Sequence, residues 1–193
     1  MNLTSSNDVS IKELSDGIEY RRIRKFREQC YSNLYPSVPN PGDADEHDFF
    51  GSRIWYTEDE NGQIESTMRY AVNVNNTLPS EQYFASDTDP LKLADRKCAE
   101  IGRFIIRHQH DQRLLREYHK RFYQQAISDG IETILIVVPQ TRIELYCQRF
   151  GATVIHRNIG ENYGSQSIFS SLRWDIADIK PAFFKFAGIK PSI

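Results

Sequence analysis

Cys98-Ala-Glu-Ile-Gly-Arg-Phe-Ile-Ile106 is a strongly apolar stretch with two charged residues, Glu100 and Arg103, at its centre. Its length and β-branched content predict a strand, and charged side chains seldom lie inside a strand without a partner. A structural ion pair is one explanation. In a regular strand, however, residues three apart point to opposite faces, so the pair would not form directly. Gly102 between them predicts a β-bulge, which would re-aim one side chain and expose a backbone amide. A carboxylate beside an exposed amide is the equipment that acyl transfer to an amine needs.

The flanking sequence sets this strand in a mixed sheet. Before it, Arg53–Thr57 and Gln63–Val72 read as antiparallel strands joined through Asn61-Gly62, which supplies the positive φ angles of a hairpin turn. In the second strand Ile64, Met68, Tyr70 and Val72 share one face and Arg69 lies on the other. Ile23, Phe26, Cys30 and Leu34 recur at helical spacing, predicting a helix from Ile18 to about Leu34 that Pro36 ends. Residues 40–48 form a polar, acidic loop, and 77–97 a long connection. After the central strand, Leu114, Leu115, Tyr118, Phe122 and Ala126 draw a helical stripe closed by Gly130. Ile131–Val138 reads as a strand buried on both faces, and Thr141-Arg-Ile-Glu144 as a capping box opening a helix that Gly151 stops. Strands Thr153–Ile159 and Ser167–Asp175 follow, and the aromatic Pro181–Phe186 is expected to pack back onto the body. This order predicts an α/β (α+β) fold with a mainly antiparallel sheet flanked by helices, in one domain over residues 1–193.

Composition excludes several classes of function. With 24 basic and 26 acidic residues the net charge is −2, without the basic footprint of a general nucleic-acid binder. The longest aliphatic run, Ile134–Val138, is far too short for a membrane span, and the N-terminus lacks a secretory pattern, so a cytoplasmic location is expected. Cys30, Cys98 and Cys147 contain no Cys-x-x-Cys and read as reduced, largely buried thiols. No phosphate-binding glycine motif or nucleophile elbow is present. His108-Gln-His110-Asp111 lacks a distant third ligand of obvious pattern, so no metal site is expected.

Arg24, the acidic triplet Asp43-x-Asp45-x-x-Asp48, Arg69 and Glu100-Ile-Gly-Arg103-Phe104 resemble, in order and nearly in spacing, the signature of acyl-homoserine-lactone (autoinducer) synthases. Those enzymes and the related long-chain N-acyl amino acid synthases share the GNAT acyltransferase fold. The resemblance covers roughly Ile18 to Gly160. It departs from the family at Glu28, where an aromatic is usual four residues after the first arginine, and at Leu34, where a tryptophan is usual. It also departs at Gly102, in place of serine or threonine, and at Asp43, in place of glutamate.

The resemblance implies an N-acyltransferase that takes a fatty acyl group from an acyl-carrier-protein thioester to the α-amine of S-adenosylmethionine, giving an N-acyl-homoserine lactone. Neither substrate would be a permanently bound cofactor. Its alternatives are a free amino acid as acceptor, an acyl-coenzyme A-dependent GNAT acetyltransferase, or a non-catalytic carrier-binding protein. Glu100 is then the expected base, with a backbone amide near Gly102 or Arg103 holding the oxyanion. Asp43, Asp45 and Asp48 would orient a cationic acceptor, with Tyr31, Tyr35 or Phe49 as aromatic faces for a sulfonium. Arg24, Arg69 and Arg103 would pair with the acids or with the acceptor carboxylate. Coenzyme A usually rests its pyrophosphate on a glycine-rich turn at a helix N-terminus, yet no glycine lies between Gly102 and Gly130. Arg113, Arg116 and Lys120, with Arg107 and Arg121 nearby, form a basic face suited to an acidic acyl-carrier protein, although such a stripe is also compatible with simple solvation.

Overall fold

Asp16 opens the first helix: its Oδ1 accepts the amides of Ile18 and Glu19, both at 2.8 Å, which satisfies two orphan donors of the first turn. In the computed structural model, which describes residues 9–34, 46–49, 51–73, 78–83, 96–108, 111–159 and 169–191, this helix α1 runs Gly17–Leu34. Ile23 and Phe26 bury against Ile54, Tyr56, Ile64 and Ile105 of the sheet, the stripe that their spacing predicts.

The described strands are β1 (Lys12–Glu13), β2 (Ser52–Glu58), β3 (Ile64–Val72), β4 (Cys98–Ile106), β5 (Thr133–Pro139), β6 (Thr153–Ile159) and β7 (Phe169–Asp175). They form one sheet in the order β1-β2-β3-β4-β5-β7-β6. Only β4 and β5 pair in parallel. The mainly antiparallel sheet expected from the element order is therefore present; β1 is too short to have shown an alternation in sequence.

Helices α2 (Gln112–Ser128) and α3 (Pro181–Ala187) close the face opposite α1. The core there is aromatic: Phe150 stacks on Trp174 at 5.9 Å, and Phe183 meets Trp174 edge-on at 4.8 Å. Phe183 is fully buried, so the C-terminal segment does pack back.

The helix expected from Thr141 is a composite instead. A 3-10 turn covers Gln140–Arg142 and a π-helical segment covers Leu145–Phe150. Thr141 lies inside the turn, and the cap position belongs to Pro139, which has no capping side chain, so the expected capping box does not form. Gly151 does stop the segment: its φ is 96°, and a Cβ there would lie 2.4 Å from the Asp178 carbonyl oxygen. Among the described residues no helix is long and apolar enough to cross a membrane.

Candidate active site

The irregularity expected in β4 lies one residue beyond Gly102. Gly102 is in register with Arg69 and Ile105 with Thr67, so Arg103 and Phe104 together oppose Met68 alone. Arg103 takes a φ of 51°, the one positive value at a non-glycine position among the described residues. A left-handed conformation costs a non-glycine residue roughly 1–2 kcal/mol and requires a tightly held frame. Its consequence is a change of face. Ala99 and Ile101 belong to the core under α2, and so does Phe104, whose ring lies 5.2 Å from that of Tyr118. Arg103 turns to α1, its guanidinium 5.8 Å from the Tyr31 ring centre. Glu100, Gly102 and Arg103 therefore share the face covered by α1, which unbulged alternation would have prevented.

Arg69 occupies the space above Gly102. A Cβ at Gly102 would lie 3.4 Å from Arg69 Nη2 and 3.8 Å from both Arg69 Nε and Glu100 Oε1. Asp48 holds the guanidinium: its Oδ1 accepts Arg69 Nη1 at 3.3 Å, and its Oδ2 accepts Arg27 Nη1 and the Tyr20 hydroxyl, both at 2.9 Å. Arg27, Asp48 and Arg69 are all buried. One carboxylate thus bridges two guanidiniums out of water. Removing it would take the shared carboxylate from two buried guanidiniums, a loss of about 3 kcal/mol or more.

Glu100 is 3% exposed, and burial pushes its carboxyl up to about 7, against the opposing pull of Ser80 and Arg69. The Ser80 backbone amide donates to Oε2 at 2.8 Å. A carboxyl near neutrality is suited to taking a proton at the pH at which an enzyme works.

Strand β4 also borders a split in the sheet. It pairs with β5 from Cys98 opposite Thr133 to Ile101 opposite Ile136, and no further. Gly102 and Arg103 lie beyond the last pair, so their backbone is not tied to β5 by that ladder.

The sequence-derived candidates distribute unevenly. Glu100, Gly102, Arg103, Arg69 and Asp48 come together, whereas Asp43 and Asp45 lie outside the described residues, as does Tyr35. Arg24 is exposed on α1, whereas Arg27, one turn on, is buried. The helical period carried the signal, since Arg27 lies beside the buried Ile23 and Phe26. Ser80 was missed inside the long connection. Leu78-Pro79-Ser80-Glu81 nevertheless has proline at a first-turn position and glutamate two residues later, both helix-start signals.

The five basic residues read as one docking face do not form a single patch. Arg107 Nη2 donates to the Ile64 carbonyl at 2.6 Å, with its guanidinium 5.3 Å from the Phe26 ring centre on the α1 side. Arg121 pairs with Glu13 at 3.5 Å, and Lys120 with Glu117 at 3.7 Å. Arg113 and Arg116 are exposed on the first turns of α2. Asp111 caps that helix, accepting the amides of Arg113 at 2.9 Å and Leu114 at 3.1 Å. A carboxylate thus holds the donors that a phosphate would use at a helix N-terminus. Among the described residues no cluster of three or more His, Cys, Asp or Glu side chains could hold a metal.

Known structures share this architecture. FeeM, an N-acyl amino acid synthase from uncultured soil microbes, superposes with a TM-score of 0.67 at 15% identity, covering 91% of this chain and 97% of that one. BjaI, a coenzyme A-dependent acyl-homoserine lactone synthase solved with S-adenosylmethionine and isopentyl-coenzyme A, gives 0.65 at 14% identity, covering 96% and 92%. A phosphinothricin N-acetyltransferase gives 0.53 at 12% identity, covering 86% and 98%, which places the fold among GNAT-like acyltransferases. No curated protein matches the chain in sequence. The family described as N-acyl amino acid synthase FeeM matches residues 22–162, a span that runs from α1 through the bulged strand and its glutamate to the end of β6, and the chain belongs to that family of acyltransferases.

Proposed function

We propose that the protein is an N-acyl amino acid synthase, which moves a fatty acyl group from a phosphopantetheine thioester to the α-amine of a free amino acid. The observation that carries this reading is Glu100, a buried carboxyl brought to about 7 beside backbone that lies beyond the last pair of β4 with β5. Glu100 takes a proton from the acceptor's ammonium group. The freed amine attacks the thioester carbonyl, forming the C–N bond, and a backbone amide at Gly102 or Arg103 holds the oxyanion. Collapse breaks the C–S bond and releases the phosphopantetheine thiolate, which takes up the proton that the new amide nitrogen gives up. One oxyanion donor is worth about 3 kcal/mol elsewhere.

The acceptor's class follows from charge. Arg69 and Arg103 bring guanidiniums to the face that carries Glu100, and a guanidinium suits the α-carboxylate of an amino acid. S-adenosylmethionine would call instead for acids and aromatic faces to hold its sulfonium. Of the acidic triplet, Asp48 is already committed to two arginines and a tyrosine, and the Tyr31 ring carries the chain's own Arg103. The donor reading rests on α2: Asp111 disfavours a pyrophosphate there, while Arg113 and Arg116 suit an acidic acyl-carrier protein.

Thiol release from an acyl-carrier-protein thioester tests the reading. With purified protein it should depend on added amino acid. Release that ignores the amino acid, or no release with any amine, would overturn it.

A further inference from the structure

Glu100 Oε2 is held by an amide that a helix start would ordinarily keep for itself. Leu78 stands at the cap of the 3-10 turn Pro79–Tyr83. An acceptor side chain at a cap position takes the amide of the second or third turn residue. Leucine has no such atom. The amide of Ser80, the second residue of the turn, therefore reaches across to Glu100 at 2.8 Å. The reciprocal half of a capping box is present, because Glu81 Oε1 accepts the Leu78 amide at 2.7 Å and latches the turn shut.

We propose that Glu81 is a positioning residue of the acyl transfer, acting through this turn on Glu100. The proposal rests on Glu100 being the base. With Oε2 tied to Ser80, Oε1 is the oxygen that faces Gly102 and Arg69, and it is the one that receives the proton. The charged groups acting on Glu100 are Arg69 from β3 and Glu81 from the turn; Asp48 and Arg27 lie behind Arg69, and its own strand adds the Arg103 guanidinium and the neutral Cys98 thiol on the same face. Glu81 raises the proton affinity of Glu100, whereas Arg69 lowers it.

Two substitutions test this in the full chain, measured as pH–rate profiles. Glu81→Gln keeps an oxygen for the Leu78 amide and removes the charge, so the acid limb of kcat should move to lower pH by roughly half a unit with little loss of maximal rate. Glu81→Ala also opens the latch, and kcat should fall about tenfold with acceptor KM little changed. An acid limb coincident with the parent's in Glu81→Gln would overturn the proposal, as would a Glu81→Ala variant that loses thermal stability but not kcat. Glu100→Gln serves as the control: if it retains activity, the assignment of the base has failed, and not the role of the turn alone.

Discussion

Arg69 lies across Gly102: the two are in register on neighbouring strands, and the position of a glycine Cβ would be 3.4 Å from Arg69 Nη2. That separation is ordinary contact for one methyl group and leaves no room for more. Gly102→Ala should therefore keep activity near the parent's. Gly102→Val, with two further carbons, should drive the guanidinium off Asp48 and raise acceptor KM by roughly 10-fold or more, the worth of one charge-assisted hydrogen bond. Steady-state kinetics with each substrate varied in turn reads this, and equal effects on donor and acceptor KM would count against it.

Glu100→Gln separates function from stability. Loss of the proton acceptor should lower the rate roughly 100-fold near neutral pH. Stability should move the other way. A carboxyl raised from 4.5 to about 7 on folding favours the folded state fully below 4.5, and that contribution is lost as pH rises through 7. Wild type at pH 8 therefore carries a burden on the order of 3 kcal/mol that Gln lacks. Denaturation curves should show the variant more stable than wild type at pH 8, with the gap narrowing toward pH 5. A gap independent of pH would show that Glu100 is not buried as a titrating acid.

Arg27 and Arg24 should behave differently although they lie one helical turn apart. Arg27→Met takes one of two guanidiniums from Asp48, leaving Arg69 and the Tyr20 hydroxyl, and should cost about 2 kcal/mol, together with a higher acceptor KM. Arg24→Ala, at an exposed position, should change stability by about 0.5 kcal/mol or less. The reverse ranking in urea denaturation would contradict the buried ion-pair role of Arg27.

Asp111 offers a test of donor choice. Asp111→Gly frees two amides at the start of α2, and acyl-coenzyme A should become a better donor by a few-fold while acyl-carrier-protein kinetics hold. Charge reversal at Arg113 and Arg116 should weaken the carrier-protein reaction and make it less sensitive to salt. If neither change alters the ratio of the two donors, the first turns of α2 do not select the donor.

Strand β4 was legible in the sequence to its last residue, because an apolar run bounded by polar segments has few other fates. The unusual pair Glu100 and Arg103 also pointed to a bulge, but its position was not legible. Glycine is the residue that bulges favour, yet here Gly102 is needed flat beneath Arg69, and Arg103 takes the left-handed conformation. The burial of Arg27 follows from its helical phase beside Ile23 and Phe26, which motif spacing alone does not weigh. Ser80 contributes through its backbone, and its distance from Glu100 along the chain gave no cue that one amide would find that carboxylate. The composite segment from Gln140 to Phe150 departed from prediction because Pro139 occupies the cap and leaves Thr141 inside the turn.

This site is proposed to acylate the amine of a free amino acid. Mass spectrometry of the products formed when purified protein receives an acyl-carrier-protein thioester, a mixture of free amino acids and S-adenosylmethionine together tests it most directly. The expected product is an N-acyl amino acid with its carboxylate free, formed without methylthioadenosine. An N-acyl-homoserine lactone formed with an equal amount of methylthioadenosine would contradict the proposal.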